Sequence, residues 1–244
     1  MAPKYKLHYF DVTALGEPIR FLLAYGNLDW EDIRYDDAKW AEAKNKMPFG
    51  QMPVLDIDGK IFAQSTAISR YLAKQVGLSG KDDIENLQID IAVDLFHDFR
   101  QKIGGWFYDP IPESKAAKEV QLKEQVPYYL KKFEQIVKDN NGFLVNGKSY
   151  RLQRAKAPLH GSQHLTLIEP GRRILDNTNG LRISSFVNPL TWADIYFVAP
   201  LKYFKFLYGK DFLEGYPLLQ ELVKKVESTP AIAGYIAKRP AGDK

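Results

Sequence analysis

The chain has 244 residues, of which 45% are apolar, 13% aromatic and 26% charged, and it contains no cysteine. That length suits one or two domains with a real core, while the missing cysteines exclude a disulfide scaffold, a thiolate metal centre and a Cys-x-x-Cys redox pair. The net charge of +4 is concentrated in residues 149–189, where Arg151, Arg154, Lys156, Arg172, Arg173 and Arg182 face only Glu169 and Asp176. A basic excess confined to one segment argues against a nucleic-acid-binding face. No apolar run approaches the ~18 residues that span a bilayer. The first residues lack the apolar core of a signal peptide, so we expect a cytoplasmic protein without a membrane partner.

Residues 4–10 (KYKLHYF) alternate and read as a strand. A helix follows over 16–25, with Pro18 suited to its first turn and Gly26 to its end. Residues 30–34 read as a second strand and 40–46 as a short helix. Residues 53–58 and 61–63 flank Gly59-Lys60 as a hairpin with an Asp-Gly turn. Gln64-Ser65 opens a helix ending at Gly77. This order, β-α-β-α-β-β-α, defines an α/β domain over residues 1–78.

From residue 79 the pattern becomes helical. Leu87, Ile91, Leu95 and Phe99 recur at i+4 within a helix over 85–103. A second helix covers 114–138, and Pro127 inside it should bend or split it. Residues 191–206 read as one buried helix opened by a capping box of Thr191 and Asp194, with Leu190 and Ile195 as its hydrophobic staple. Helices near 216–228 and 230–238 complete an all-α domain over 79–244. Residues 149–189 fit neither domain and read as an irregular insertion, tolerable because loop-closure cost grows only logarithmically with length. His160 and His164 within it read as solvated loop residues.

The succession KYKLHYF, GEPIRFLL, Trp40-x3-Lys44, PFGQMPVLDIDG and QSTAISRYLAKQ, continued by VDLFHDF, LTWADIYF and PAIAGYIAKRP, resembles the sigma class of cytosolic glutathione transferases. That class includes glutathione-dependent prostaglandin D synthase and the lens S-crystallins. The resemblance covers about 1–148 and 190–244, omitting 149–189, which is either a true loop or a translated non-coding segment. The abrupt change of composition between intact family stretches favours the second. The resemblance implies a thioredoxin-like N-terminal domain that binds glutathione as co-substrate, with no prosthetic group. It also implies a helical domain that supplies most of the second-substrate pocket, and a homodimer.

The chemistry then rests on glutathione's own sulfur. A free thiol with a pKa near ~8.5 is only a few per cent thiolate at neutral pH, and lowering that pKa by two units takes ~2.7 kcal/mol of selective stabilisation. By the resemblance, Tyr9 is the catalytic hydroxyl that donates to the thiolate. Gln64 and Ser65 take the γ-glutamyl carboxylate at a helix start, a place that favours anions. Gly50, Gln51, Met52 and Pro53 form a cis-proline turn beside the cysteinyl residue. Trp40 and Lys44 hold the glycyl end, and Asp98 reaches across the dimer to the γ-glutamyl ammonium. Phe10, Trp106 and Tyr108 are candidates for the second pocket, although aromatics there equally suit a core.

Two departures stand out. Leu15 occupies the position of an arginine found in some sigma enzymes. His97 interrupts the acidic cluster, here Asp94 and Asp98, that prostaglandin D synthases can carry for a divalent ion, so no metal is expected. The rival readings are a prostaglandin isomerase and a crystallin-like structural protein with little activity.

Overall fold

The computed structural model describes residues 3–145 and 190–240, so the insertion and its two histidines lie outside the described residues. Strand β1 (Tyr5–Phe10) follows from its alternation, with Tyr5, Leu7 and Tyr9 buried and the residues between them half-buried. It runs parallel to β2 (Trp30–Tyr35) and antiparallel to β3 (Val54–Ile57), which pairs antiparallel with β4 (Lys60–Ala63) in the order β2-β1-β3-β4. The β3–β4 turn places Asp58 (φ 51°) and Gly59 (φ 85°) in the left-handed region, as a two-residue primed turn demands. With α1 (Glu17–Tyr25), α2 (Asp37–Ala43) and α3 (Ser65–Gln75) this is the expected thioredoxin-like β-α-β-α-β-β-α order.

The loop after β1 is held from below. Arg20 on α1 is fully buried and donates to the carbonyls of Val12 (2.7 Å) and Phe10 (3.4 Å), to Glu17 (3.1 Å) and to Asp32 (3.1 Å). Glu17 in turn accepts from Arg239 (2.9 Å) and the Tyr235 hydroxyl (3.1 Å). These pairings satisfy the buried charges and tie the last helix to the strand end that carries Tyr9.

The second half is helical, as expected: α4 (Asp83–Phe107), α5 (Pro112–Asp139), α6 (Trp192–Val198), α7 (Leu201–Tyr208), α8 (Pro217–Glu227) and α9 (Pro230–Lys238). Three expectations need correction. Helix α5 is not split at Pro127, which lies inside one continuous element. A proline inside a helix costs ~3 kcal/mol, and the burial of Leu122, Val126, Leu130 and Phe133 along the face that meets α4 outweighs it. The run 191–206 is two helices, because Ala199-Pro200 interrupts it. On α4 the core face is Ile89, Val93, Phe96, Phe99 and Ile103, whereas Leu87 and Ile91 are exposed at 54% and 59%.

All seven residues of α6 are buried. Thr191 and Asp194 form the expected capping box, and the Asp194 carboxylate accepts the Thr191 amide (2.8 Å) and hydroxyl (3.0 Å). Its other oxygen accepts the Leu144 amide at 2.7 Å. Asp194 therefore gathers the chain on both sides of the insertion onto one carboxylate, and α6 packs on both α1 and α3. Among the described residues no helix is long and apolar enough to cross a membrane.

Candidate active site

Strand register brings the candidate residues to one end of the sheet. His8 pairs with Val54, and Val54 with Ala63, so Tyr9, Pro53 and Gln64 lie side by side just beyond the last pairs. Phe10 pairs with Tyr35, so the chain leaving β2 enters α2 at the same end. His8 points to the other face, its Nδ1 paired with the Tyr35 hydroxyl at 2.8 Å.

Tyr9 is 5% exposed. Its Oη accepts the backbone N–H of Leu15 at 3.1 Å, so its own proton remains free to donate. The position that lacks the family's arginine side chain thus contributes a main-chain donor. Burial pushes the Tyr9 phenol up to about 12, opposed by the Leu15 N–H and by Arg20, whose guanidinium lies 5.7 Å from the ring centre. At neutral pH Tyr9 is therefore an O–H donor and not a phenolate base.

The turn that delivers Leu15 depends on Gly16. A Cβ there would lie 2.3 Å from Cδ1 and 2.7 Å from Cγ of the Tyr9 ring, so any side chain must displace the ring. Overpacking of this kind costs about 1–3 kcal/mol. Gly16→Ala is expected to lower the unfolding free energy by that amount, and to cut kcat/KM for conjugation at least about tenfold because an ~1 Å misplacement is costly. Denaturant unfolding and steady-state kinetics on one preparation check both.

Aromatic edges carry the site outward. Tyr9 meets Phe10 at 5.6 Å and Phe10 meets Trp40 at 5.4 Å between ring centres. Asp36 caps α2 by accepting the Lys39 amide at 2.8 Å, which sets Trp40 on that helix with Lys44 immediately after it. The turn at Phe49 (φ 57°) and Gly50 (φ 58°) brings Gly50 against the Lys44 stem. The Met52–Pro53 bond is cis, and the exposed Gln51 precedes it. Gln64 holds a positive φ of 76° at the foot of α3, a strained conformation of the kind that gathers at sites. Ser65 is buried at the first turn, where helix amides are free.

The remaining candidates divide. Tyr108 contacts the hydroxyl of Tyr203 on α7, and Tyr108 raises the proton affinity of the Tyr9 phenol while Arg100 lowers it. Burial pushes the Tyr203 phenol up, and Tyr108 pushes it further. Trp106 instead packs on Phe107 and Tyr208, with its indole N–H buried and unpaired among the described residues. Asp98 is exposed on α4. Among the described residues no group of three or more histidine, aspartate or glutamate side chains is placed to hold a metal ion. Sequence reading did not reach Leu15 as an amide donor, nor Arg100 or Tyr203, since each depends on a contact between elements.

A thioredoxin-like sheet thus ends beside a buried neutral tyrosine and the start of α3, and a helical domain backs it. The profile described as the glutathione S-transferase N-terminal domain matches residues 5–74, and that of the C-terminal domain matches 97–149 and 182–239. A glutathione S-transferase of Anopheles gambiae is 44% identical, with 98% of each chain covered. Human hematopoietic prostaglandin D synthase is 33% identical, also with 98% of each covered. The solved structure of a prostaglandin synthase D of Nilaparvata lugens is similar at TM-score 0.78 and 36% identity, covering 98% of this chain and all of that one. The chain belongs to the glutathione S-transferase family. The C-terminal match passes over residues 150–181, inside the insertion.

Proposed function

We propose that this protein is a homodimeric, cytoplasmic transferase that adds the thiolate of reduced glutathione to small hydrophobic electrophiles such as lipid-derived enals. The observation that carries this reading is the Tyr9 hydroxyl, neutral, occupied as an acceptor by Leu15 and left with one proton to give. A donor fixed before the thiolate forms stabilises charge without reorganising. Ser65, Gln64 and the first amides of α3 receive the γ-glutamyl carboxylate, Gln51 and Met52 the peptide backbone beside Pro53, and Trp40 and Lys44 the glycyl carboxylate. Phe10, Tyr108 and Tyr203 border the electrophile, so proximity adds to thiolate stabilisation.

An apolar surface supports the dimer. Ile84, Leu87 and Ile91 form an exposed row on α4, and Phe62 and Tyr71 border a groove of ≈ 410 Å³ between β4 and α3. Asp98, exposed on α4, then serves the ammonium bound in the second copy. We place the domain boundary at 78/79, where the Leu78 carbonyl accepts the Trp192 amide at 3.1 Å.

Ultraviolet difference spectra of the protein with glutathione near neutral pH test the reading: a thiolate band is expected, and its absence defeats the assignment. Lys44→Ala should raise the glutathione KM about fivefold while leaving kcat within a factor of about two, because a contact to a remote carboxylate contributes uniform binding. The relatives named prostaglandin D synthase favour a second reading, isomerisation of a prostaglandin endoperoxide, which product analysis separates from conjugation. Retention on immobilised glutathione without turnover favours the crystallin-like reading.

A further inference from the structure

One polar chain joins the helical domain to the glutathione pocket and has no part in the chemistry described so far. Arg100 Nε donates to His97 Nδ1 at 2.8 Å. His97 Nε2 lies 2.6 Å from Thr66 Oγ1 and 3.3 Å from the Tyr196 hydroxyl. The Tyr196 hydroxyl is 3.0 Å from Thr66 Oγ1 and 3.2 Å from Ser65 Oγ. Tyr196 is fully buried and Ser65 nearly so, while His97 and Thr66 are half-buried. The links come from α4, α3 and α6, and the chain ends on the residue assigned above to the γ-glutamyl carboxylate.

The direction of the chain follows from its first member. A guanidinium has donors and no acceptor, so Nδ1 of His97 must accept and the imidazole proton resides on Nε2. Nε2–H then donates to Thr66 Oγ1, leaving the Thr66 proton for the Tyr196 oxygen and the Tyr196 proton for Ser65 Oγ. Ser65 Oγ thereby accepts from Tyr196, and its own proton turns outward to the pocket. Hydrogen bonds in series polarise one another and hold one arrangement. Burial and the neighbouring Arg100 keep His97 neutral against the pull of Asp94 and Asp98 on its own helix.

We propose that His97 is a positioning residue for glutathione, orienting the Thr66–Tyr196–Ser65 hydroxyls so that Ser65 presents its proton to the γ-glutamyl carboxylate. This rests on the Ser65 assignment above. The role is one of binding, and it leaves the Tyr9–sulfur contact untouched.

The test is steady-state kinetics of the full-length dimer with glutathione varied at saturating electrophile, with thermal unfolding measured on each preparation. His97→Phe keeps a ring and removes both nitrogens; it is expected to raise the glutathione KM about five- to tenfold with kcat changed less than about twofold, because a misdirected Ser65 proton forfeits only part of a hydrogen bond to a charged group. Thr66→Val breaks the chain one link later and should give the same split. His97→Gln restores an N–H toward Thr66 and an oxygen toward Arg100, and should return KM to within about twofold of the parent. An unchanged KM in both His97→Phe and Thr66→Val, a fall in kcat with KM unchanged, or a His97→Gln variant as impaired as His97→Phe overturns the proposal. Ser65→Ala, run alongside, separates the two layers. If it leaves KM unchanged, the carboxylate assignment is wrong and the proposal falls with it. If it raises KM while His97→Phe does not, only the orienting role is lost.

Discussion

Tyr9→Phe is expected to lower kcat/KM near neutral pH by about a hundredfold and to raise the apparent pKa of bound glutathione by up to about two units. Phenylalanine keeps the ring contacts with Phe10 and Arg20 and removes only the hydroxyl, so the change isolates the hydrogen bond. Two units correspond to ~2.7 kcal/mol, at the upper end of the 1.5–3 kcal/mol range for a hydrogen bond to a charged group. The sign follows from which form is favoured. The Tyr9 proton stabilises thiolate over thiol, so its removal returns the sulfur toward ~8.5. The loss should therefore shrink as pH rises past that value, where the thiol ionises unaided. Because burial holds the Tyr9 phenol at about 12, the parent's own hydroxyl does not titrate over that range, and its profile should show a single rising limb. A Tyr9→Phe protein with the parent's rate and profile sinks the assignment.

The second large effect concerns folding. Asp194→Ala should lower the unfolding free energy by about 3 kcal/mol, measured by denaturant unfolding at fixed protein concentration. The carboxylate is fully buried and takes the Leu144 amide together with the amide and hydroxyl of Thr191. Truncation strands these donors inside the core and releases the chain on both sides of the insertion. The pH dependence has a definite sign. Burial raises the Asp194 pKa to about 6 despite those three donors, above the ~3.9 of an unfolded aspartate. The folded state thus binds this proton more tightly, and the group's contribution to stability grows as pH falls through 6 toward 4. The alanine variant lacks that contribution, so the difference between the two proteins should widen from pH 7 to pH 5. A gap that stays constant or narrows refutes the linkage.

Much of the fold was legible in local pattern. The alternation of KYKLHYF, the Asp58-Gly59 turn and the Thr191–Asp194 box each encode their geometry within a few residues, and all three stand in the structure. Pro127 and Pro200 show where local rules stop. Both break helical hydrogen bonding equally, yet α5 continues through one and the chain divides at the other. The difference lies in packing: α5 is backed by a long buried face on both sides of Pro127, whereas α6 is a single short buried rod whose end is a natural place to turn. The row Leu87–Ile91 has the helical spacing of a core face and lies exposed, because periodicity identifies an apolar face without saying what covers it.

The sequence by itself determined the element order, the cap of α6 and, through residues such as Tyr9, Pro53, Gln64 and Ser65 in their motifs, the family resemblance. These are properties of neighbours along the chain, set by backbone sterics and short-range hydrogen bonds. Only the tertiary structure decided that Leu15 answers Tyr9 with its amide, that Tyr108 and Tyr203 meet through their hydroxyls, and that His97 reaches Ser65 through Thr66 and Tyr196. Those arrangements join residues up to 131 positions apart, and the burial that shifts their proton affinities arises only when the two halves of the chain close around them.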